Sequence, residues 1–466
     1  MANEALLKGL VCGGKEVSAK QTNDDSRAEY QPIVPFQFLD GEYEDDNNNL
    51  YQDDFYNFNN NSSLFQYFPL MNDEIKMYIL SFMTLKDLLS LSQSCKEMRA
   101  MVEDRLLWFQ LLNSHGFSIT DSIRDNSSLD LKKYFSDLKN LTAKNSVQWS
   151  PLEFNGVFPT KRYKHTSSVY KNYVVIIGGQ RSNSKRYGDI YYYDTKTNEF
   201  SRPKIVGDQP PRFSRHTSQV IGDKIYIFGG FNGNGTYFNL STYNLKLKKW
   251  KNILETKGMA PDPRSNHSSA VIGSKYYIFS GNNTTNDGEY KILEDFYYLE
   301  TKTLTWHKIN ATGDIPCGRG GHTMEVIDGK IYLFGGGIWS PVSDWTQRFN
   351  DIHIYDPETN CWSKPSIYGP APNTSTFTTS FVYGRFLVLF GGGCQSTNSV
   401  CNNTYALDTK SMNWINMPLS DTYTPRPRDM ATASLVGNNL FVFGGFSGGP
   451  VNYFDQITFN FTPLLK

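Results

Sequence analysis

The sequence of this 466-residue chain predicts a mainly β protein, a six-bladed β-propeller preceded by a small all-α module and a disordered tail. Three observations predict this fold. Between residues 174 and 445 an apolar strand runs six times into a glycine pair, at spacings of 51, 51, 55, 56 and 53 residues. After each of the first five pairs come a tyrosine-rich strand and then a large aromatic residue. Between Leu64 and Leu112 the apolar period changes from two to about 3.6, which is typical of helices.

Each repeat has the composition of strands and turns. The six glycine pairs end at Gly179, Gly230, Gly281, Gly336, Gly392 and Gly445. The aromatic residues that follow are Phe200, Trp250, Trp306, Trp362 and Trp414. β-branched and aromatic runs bounded by Gly, Pro, Asn and Asp favour strands. A four-stranded sheet that is apolar on both faces must stack on its neighbours, so we expect six four-stranded blades arranged radially.

The sixth repeat has no tryptophan and only one strand-like run after its glycine pair, from Asn452 to Phe461. The missing outer strand has a candidate at the other end of the repeats. Residues 146–154, which include Trp149, have the pattern of an isolated outer strand. We therefore predict that this segment completes blade six and closes the ring.

The order of double glycine, tyrosine-rich strand and tryptophan at about fifty residues resembles the kelch repeat of β-propellers. The resemblance covers residues 146–466, about two thirds of the chain. The sequence departs from the pattern at Ser280, which replaces one glycine, and at Phe200, which replaces one tryptophan. The resemblance implies a kelch-type propeller that binds other proteins.

The first 62 residues have 12 acidic and 4 basic residues and are rich in asparagine. Such a segment buries too little apolar area to offset the entropy of ordering, so we predict an acidic, Asn-rich, disordered tail. Its aromatic residues have two interpretations, a binding motif or scattered hydrophobic residues. They are Phe36, Phe38, Tyr51 and Phe55.

Composition and charge exclude several classes of protein. Lys plus Arg equals Asp plus Glu at 46 each, without a continuous basic tract, so nucleic-acid binding is not expected. No 18 apolar residues run together and no signal peptide is visible, so we expect no membrane span and an intracellular protein, cytoplasmic, nuclear or both. Six cysteines without a CxxC pair predict free thiols.

Residues 64–112 predict a small helical module. Asn72 is a plausible N-cap, and Thr84 with Asp87 has the spacing of a capping box at the start of a second helix. An apolar stripe with spacings of three and four then predicts core packing. It consists of Leu88, Leu91, Cys95, Met98 and Val102.

The residues of this module resemble an F-box. The resemblance rests on the stretch from Met71 to Phe82, the stretch from Leu88 to Arg99 and the late Leu107-Trp108, although Asn72 stands where that family usually has proline. It implies docking on the Skp-type adaptor of a cullin-RING ubiquitin ligase. The adaptor-binding residues that it implies are Met71, Asn72, Glu74, Ile75, Ile79, Leu80, Leu88 and Leu91.

Residues 113–145 hold polar turns and a short helical pattern, which predicts a connector that orients the propeller. A second interpretation is that residues 64–145 simply pack on the propeller and dock on nothing else. Apolar surface beyond what about 45 residues can hide favours a partner or another domain.

Strand parity places the loops before the first strand of each blade and the loops after the glycine pair on one face of the propeller. Recurrent arginines on that face predict a positive pocket for an acidic or phosphorylated segment of a protein substrate. The predicted substrate-binding residues are Arg162, Arg212, Arg264, Arg319 and Arg428, with Asn373 in copy five and the loop tryptophans Trp339 and Trp345. The alternative is that each arginine ties its own turn.

The combined pattern predicts a substrate-receptor subunit of an SCF-type ubiquitin ligase, without catalysis, cofactor or metal of its own. The alternative is a kelch-propeller scaffold or cytoskeletal interaction protein that acts without ubiquitin. The recurrent His165, His216, His267 and His322 are possible metal ligands, but their repeat-equivalent positions favour hydrogen bonds to the turns of the repeat. No P-loop, zinc motif or nucleophile elbow is present.

Overall fold

In the computed structural model, the residues described are 70–117, 119–143, 147–237, 240–284, 289–340, 344–394, 397, 399–418, 423–451 and 453–460. The predicted disordered tail, residues 1–62, lies outside them. Residues 71–466 form one compact unit, so the helices and the propeller belong to the same body.

The N-terminal part of this unit is helical. Its helices are α1 (Asp73–Leu80), α2 (Leu85–Ser92), α3 (Lys96–Glu103), α4 (Arg105–Ser114), α5 (Asp121–Arg124) and α6 (Leu131–Thr142). The Asn72 side chain caps α1 by accepting a hydrogen bond from the Ile75 amide, and Thr84 caps α2 through the Asp87 amide, as the sequence predicts. The stripe from Leu88 to Val102 spans two helices, because α2 ends at Ser92 and Cys95 then caps the start of α3.

The strands follow in chain order. The first is β1 (Val147–Pro151). Blade one contains β2 (Asn155–Gly156), β3 (Thr166–Tyr170), β4 (Tyr173–Ile177), β5 (Ile190–Asp194) and β6 (Glu199–Ser201). Blade two contains β7 (Val206–Gly207), β8 (Thr217–Ile221), β9 (Lys224–Phe228), β10 (Leu240–Asn244) and β11 (Lys249–Asn252). Blade three contains β12 (Lys257–Gly258), β13 (Ser268–Ile272), β14 (Lys275–Phe279), β17 (Phe296–Glu300) and β18 (Thr305–Lys308), with the hairpin β15 (Asn282–Thr284) and β16 (Tyr290–Ile292) inserted after β14.

Blade four contains β19 (Thr312–Gly313), β20 (Thr323–Ile327), β21 (Lys330–Phe334), β24 (Ile352–Asp356) and β25 (Cys361–Ser363), with the hairpin β22 (Gly337–Ser340) and β23 (Asp344–Arg348) inserted after β21. Blade five contains β27 (Thr379–Tyr383), β28 (Phe386–Phe390), β30 (Thr404–Asp408) and β31 (Asn413–Met417), with the small pair β26 (Thr374–Thr376) and β29 (Gly393–Cys394). Blade six contains β32 (Thr432–Val436), β33 (Asn439–Phe443) and β34 (Phe454–Phe459).

The ring closes as the sequence predicts. Strand β1 pairs antiparallel with β34, so that Trp149 stands opposite Ile457 at the outer edge of blade six. The Trp149 side chain is buried and lies 4.6 Å from the Phe390 ring of blade five, measured between ring centroids. An N-terminal strand therefore supplies the aromatic residue that the sixth repeat lacks.

The first four blades have five strands, so the prediction of four-stranded blades is wrong for them. The fifth strand is a two-residue edge strand that runs parallel to the outermost long strand: β2, β7, β12 and β19 pair with β6, β11, β18 and β25. Each ends in a glycine with positive φ. At Gly313 an added Cβ would lie 2.1 Å from the Trp362 carbonyl oxygen, so no larger residue fits there.

The core consists of apolar layers between neighbouring blades. Trp250, Trp306 and Trp362 are almost fully buried, and Phe200 occupies the corresponding position of blade one. Each aromatic residue packs on the preceding blade, as in the contact of Trp306 with Phe228, 5.1 Å between ring centroids. Because every layer is shared by two blades, closure of the ring is needed to cover the first and last sheets.

The prediction of free thiols is wrong for two of the six cysteines. Cys394 at the end of β29 and Cys401 before β30, seven residues apart in blade five, form a disulfide. Cys95, Cys317 and Cys361 are free thiols, and Cys12 lies outside the described residues.

Candidate functional site

Six residues form a ring around the propeller axis, one from each blade, just before the innermost strand. They are Lys164, Arg215, Asn266, Gly321, Phe377 and Met430, all with φ between 50° and 69°. The amide of each donates to the carbonyl of the equivalent residue in the preceding blade at 2.7–3.3 Å, and the Lys164 amide donates to Met430. The left-handed conformation turns every amide and carbonyl along the ring, so the backbone alone builds this collar.

Above the collar lies a cavity of about 420 Å³, which we call the bowl. Its floor includes Lys164, Arg215, Asn266, Phe377 and Met430 of the collar. Its walls come mainly from the loops after the glycine pairs, with Phe231, Asn282, Thr284, Tyr290, Gly337, Trp339 and Trp345, and Gly320 beside the collar also lines it. The bowl therefore lies on the face that strand parity predicts.

Trp339 and Trp345 line the bowl together, on the β22–β23 hairpin. Tyr290 lies against Trp339 with 5.2 Å between ring centroids, and Phe377 lies 6.0 Å from Trp345. Partly exposed aromatic side chains around a concave surface are typical of protein-binding sites.

Two cations stand in this aromatic setting. The Lys164 ammonium lies 5.0 Å from the centre of the Phe377 ring, and the Arg215 guanidinium lies 4.9 Å from that of Phe231. Among the described residues neither takes part in an ion pair. Burial, followed by the neighbouring charge of Arg215, lowers the pKa of Lys164 well below its usual value. Burial and the charge of Arg186 lower the pKa of Arg215. An anionic group in the bowl would relieve both effects.

The predicted arginine pocket is wrong for four of its five arginines. Arg162, Arg264, Arg319 and Arg428 are buried to 0–1% exposure and face the interior of their blades. Arg319, for example, donates to Asp351 through both Nη atoms, at 2.6 and 3.3 Å, and to the Gly335 carbonyl at 3.0 Å. Arg162 and Arg264 bind Asp189 and Asp295 in the same way, and Arg428 binds Asp455. These guanidinium groups tie the blade together, as the alternative interpretation proposes.

The fifth arginine, Arg212, is exposed and does not line the bowl. Phe213, not Arg212, occupies the position of the buried arginine in blade two. Asn373 is exposed outside the bowl, and its backbone amide donates to the Tyr405 hydroxyl at 3.4 Å. The sequence contains a signal for this difference: Asp189, Asp295 and Asp351 precede the tyrosine-rich strand only in copies with the arginine, whereas copies two and five have Asn239 and Asn403.

The recurrent histidines link neighbouring blades. His165, His216 and His267 each bond through Nε2 to a threonine of the preceding blade, at 2.8–3.0 Å, instead of bonding to their own turns. Burial lowers the pKa of His216 and of His322 to about 3, so these rings are neutral. Within the described part of the chain, no three His, Cys, Asp or Glu side chains are grouped to hold a metal ion.

The helical module has a second exposed site, on α1 and the turn that follows it. Ile75, Tyr78 and Phe82 are 42%, 41% and 52% exposed and follow one another at helical spacing, with Tyr78 and Phe82 in ring contact at 4.9 Å. Of the predicted adaptor-binding residues, Asn72, Glu74 and Ile75 are exposed, and Met71, Ile79 and Leu91 are half-buried. Leu80 and Leu88 are buried in the module's core, so their assignment as docking contacts is wrong. Tyr78 is an exposed residue that is absent from the predicted adaptor-binding set.

These features define the class: a helical F-box-like domain joined to a six-bladed kelch propeller. The family of F-box-like domains matches residues 73–114. The KLHDC2/KLHL20/DRC7 kelch-repeats domain matches residues 128–336 and 337–463, and the chain belongs to this kelch-repeat family. Both kinds of domain are typically non-catalytic and mediate interactions. Their combination in one chain is the architecture of an F-box adaptor.

The chain is also similar to longer kelch proteins. It is 27% identical to Host cell factor 2 of Homo sapiens over 345 residues, which covers 66% of this chain and 42% of that protein. It is 28% identical to Host cell factor 1 of Rattus norvegicus over 340 residues, 66% of this chain and 16% of that protein. The chain thus spans less than half the length of these relatives. None of the described helices combines the length and apolar character that crossing a membrane requires.

Proposed function

We propose that this protein is the substrate-receptor subunit of an SCF-type cullin-RING ubiquitin ligase. In this proposal α1 and its surroundings dock on the Skp-type adaptor, which carries the cullin, and the propeller binds the protein target. The observation that carries the proposal is the exposed apolar row of Ile75 and Tyr78 on α1 and Phe82 in the turn after it. Exposed apolar patches of this kind mark protein–protein contacts. The protein performs no bond chemistry itself and acts inside the cell, where such ligases operate.

The docking part is tested by co-purification with the adaptor and the cullin. Ile75→Asp places a charge in the apolar row without touching the core, so adaptor binding should fall at least tenfold while the protein stays folded. Leu254→Asp is the matched control, because Leu254 is 91% exposed on the propeller and should leave adaptor binding unchanged. Full binding by Ile75→Asp would place the adaptor interface elsewhere on the chain, whereas absence of adaptor binding by the wild type would favour the alternative, a scaffold that acts without ubiquitin.

The bowl is proposed to bind the target, through an acidic or phosphorylated segment. Support comes from Lys164 and Arg215, two cations without ion-pair partners in the described structure, set among five aromatic side chains. A carboxylate or phosphate would pair with both, and the aromatic walls would pack on its apolar neighbours. The electropositive residues of the proposed site are therefore these two rather than the blade arginines.

The target part is tested by capture with the ligase inhibited, followed by mass spectrometry. The double variant Lys164→Ala with Arg215→Ala should lose the proteins that the wild-type chain captures, while adaptor and cullin still co-purify. Arg212→Ala, which removes an exposed arginine outside the bowl, should capture the same proteins as the wild type. Unchanged capture by the double variant would place the target elsewhere on the chain.

A further inference from the structure

A fully buried charged cluster lies where the connector meets the propeller. Asp137 of α6 meets Arg385 and Asp408 of blade five, and the side chains of all three have 0% exposure. Arg385 stands in the turn between β27 and β28, and Asp408 ends β30, on the face opposite the bowl. Tyr134, one turn before Asp137 on α6, is equally buried.

The contacts within this cluster join α6 of the helical part to blade five of the propeller. The Arg385 guanidinium donates to Asp137 at 2.9 Å, across a separation of 248 residues, and to Asp408 at 2.8 Å. The Tyr134 hydroxyl donates to Asp408, and the Arg385 guanidinium lies 4.3 Å from the centre of the Tyr134 ring. Two side chains of one face of α6 are thus fixed on blade five.

A second arginine holds the other end of the connector. Arg105 of α4 donates to three backbone carbonyls of the segment before α6, those of Ile123, Asn126 and Leu129, at 3.0–3.2 Å. The Phe135 ring of α6 lies 5.9 Å from Trp108 and 5.1 Å from His115, both on or next to α4. Contacts therefore run without interruption from the F-box-like domain through α6 to blade five.

The chemistry of the cluster restricts movement more than it adds stability. Two carboxylates and a guanidinium that are removed from water are tolerated only while they remain paired. A movement of α6 relative to blade five would break this pairing and leave buried charges without partners, which is costly. Burial alone would lower the pKa of Arg385, but the carboxylate of Asp408 and then Tyr134 and Asp137 outweigh it and raise the pKa. The guanidinium therefore stays charged at any ordinary pH.

We propose that Arg105 and Arg385 are positioning residues that hold the F-box-like domain and the propeller as one rigid body, and so select which target lysines come within reach of ubiquitin transfer. The second half of this statement rests on the proposed function. The first half rests on geometry alone. We call the connection from α4 through α6 to blade five the rigid arm. If it is rigid, it places the bowl at one distance and angle from α1, whereas a hinged connection would let the bowl occupy many positions.

The test uses full-length protein with the substitutions Arg385→Met and Arg105→Met, each of which keeps an apolar side chain of similar length and removes the guanidinium group. Hydrogen exchange of the amides in 131–142 should become at least tenfold faster in both variants, while exchange in blades one to three stays unchanged. Asp137→Asn keeps the shape of α6 and removes one charge, so it provides a milder variant if a methionine substitution prevents folding. Unchanged exchange in α6 in every folded variant would overturn the rigid arm.

The second readout is the set of lysines modified in a reconstituted ligase, with self-modification of the receptor as the reaction. The set should broaden in Arg385→Met compared with the wild type, because the propeller samples more positions, while adaptor binding is retained. An unchanged set together with faster exchange in α6 would overturn the positioning role. Absence of adaptor binding by the wild type would instead contradict the proposed function and leave the exchange result to decide the rigid arm.

Discussion

The two faces of the propeller treat buried cations in opposite ways. Phe377 of the collar precedes β27 and Arg385 follows it, so one strand leads from the bowl to the charged cluster. In the bowl, Lys164 and Arg215 are half-buried and adjacent to each other in the collar, and they form no ion pair with a described residue. The nearby Asp429 carboxylate offsets only part of the lowering of the Lys164 pKa. In the cluster, Arg385 has no exposure at all and two carboxylates.

This difference in pairing distinguishes cations that can bind a ligand from cations that stabilise the fold. A cation that is buried with its partners has no capacity left for a ligand, and its removal harms the fold. A cation that is desolvated without a partner carries a cost that an arriving anion can remove. Arginines must therefore be sorted by their partners before any of them is assigned to a binding site.

The largest effect is expected for Asp408→Ala, which leaves Arg385 with one carboxylate and the Tyr134 hydroxyl without its acceptor. Removal of one partner of a buried ion pair costs about 3–5 kcal/mol. The measurement is the free energy of unfolding in urea. Asp356→Ala is the matched control, because Asp356 ends the equivalent strand of blade four with an exposed partner, Lys330, and should cost about 1 kcal/mol or less. Equal costs would remove the distinction between the two environments.

A second prediction sharpens the distinction inside the blades. Arg319→Ala should lower the free energy of unfolding by about 3 kcal/mol, because it removes a fully buried side chain and leaves the half-buried Asp351 without its bidentate partner. Arg212→Ala, at an exposed arginine of the same predicted set, should change it by less than about 0.5 kcal/mol. If Arg319→Ala were as stable as the wild type and had lost target capture, the buried arginines would belong to the binding site after all.

The buried histidines make the stability of the fold depend on pH. Burial first, followed by nearby arginine charge at His165, His267 and His322, lowers the four histidine pKa values below the unfolded value of about 6.5, to about 3 for His216 and His322. The unfolded chain therefore binds more protons, so these groups make stability fall as pH drops from 6.5 towards 3.

Each histidine contributes up to about 1.4 kcal/mol per pH unit in this window. Glu325 and Asp429, whose pKa values burial raises to about 7, oppose the trend between pH 4 and 7, but they are two groups against four. Urea midpoints at pH 4.5, 5.5 and 6.5 should rise in that order, and His216→Gln should reduce the slope by about one proton. A midpoint that is constant over this range would show that the histidines titrate in the folded state.

The smallest effect has the opposite sign to the first. Lys164→Met removes a desolvated charge from the bowl and keeps the aliphatic stem, so the protein should be unchanged or stabilised by up to about 1 kcal/mol, whereas target capture should weaken. The thermal midpoint and the capture assay measure the two quantities on one sample. A loss of stability comparable to that of Asp408→Ala would mean that Lys164 is architectural.

Much of the fold could be predicted from the sequence because its repeats use the same residue types for the same task. Six glycine pairs and the missing tryptophan were enough to predict closure by Trp149. The fifth strands were missed, although a glycine followed three residues later by proline recurs at the blade junctions. Examples are Gly156 with Pro159, and Gly313 with Pro316.

The sites were less accessible to sequence patterns for two physical reasons. The collar is built by backbone atoms, so its six residues share a conformation and not a side-chain type, and no pattern of residue types identifies Lys164 or Arg215. The pairing of Asp137 with Arg385 joins positions 248 residues apart, and periodicity carries no information about it. Trp339 and Trp345 were found because long aromatic loops after the glycine pairs are visible in the chain.

The collar also offers a way to change what the protein captures. Since main-chain atoms make all six of its hydrogen bonds, side chains at these positions can be exchanged while the hydrogen-bonded ring remains intact. Proline would remove a donor and β-branched residues disfavour positive φ, but the other residue types are compatible with the backbone. A library randomised at positions 164, 215, 266, 377 and 430, the collar positions that line the bowl, would therefore vary its floor on a constant scaffold, so that new specificities could be selected without redesign of the propeller.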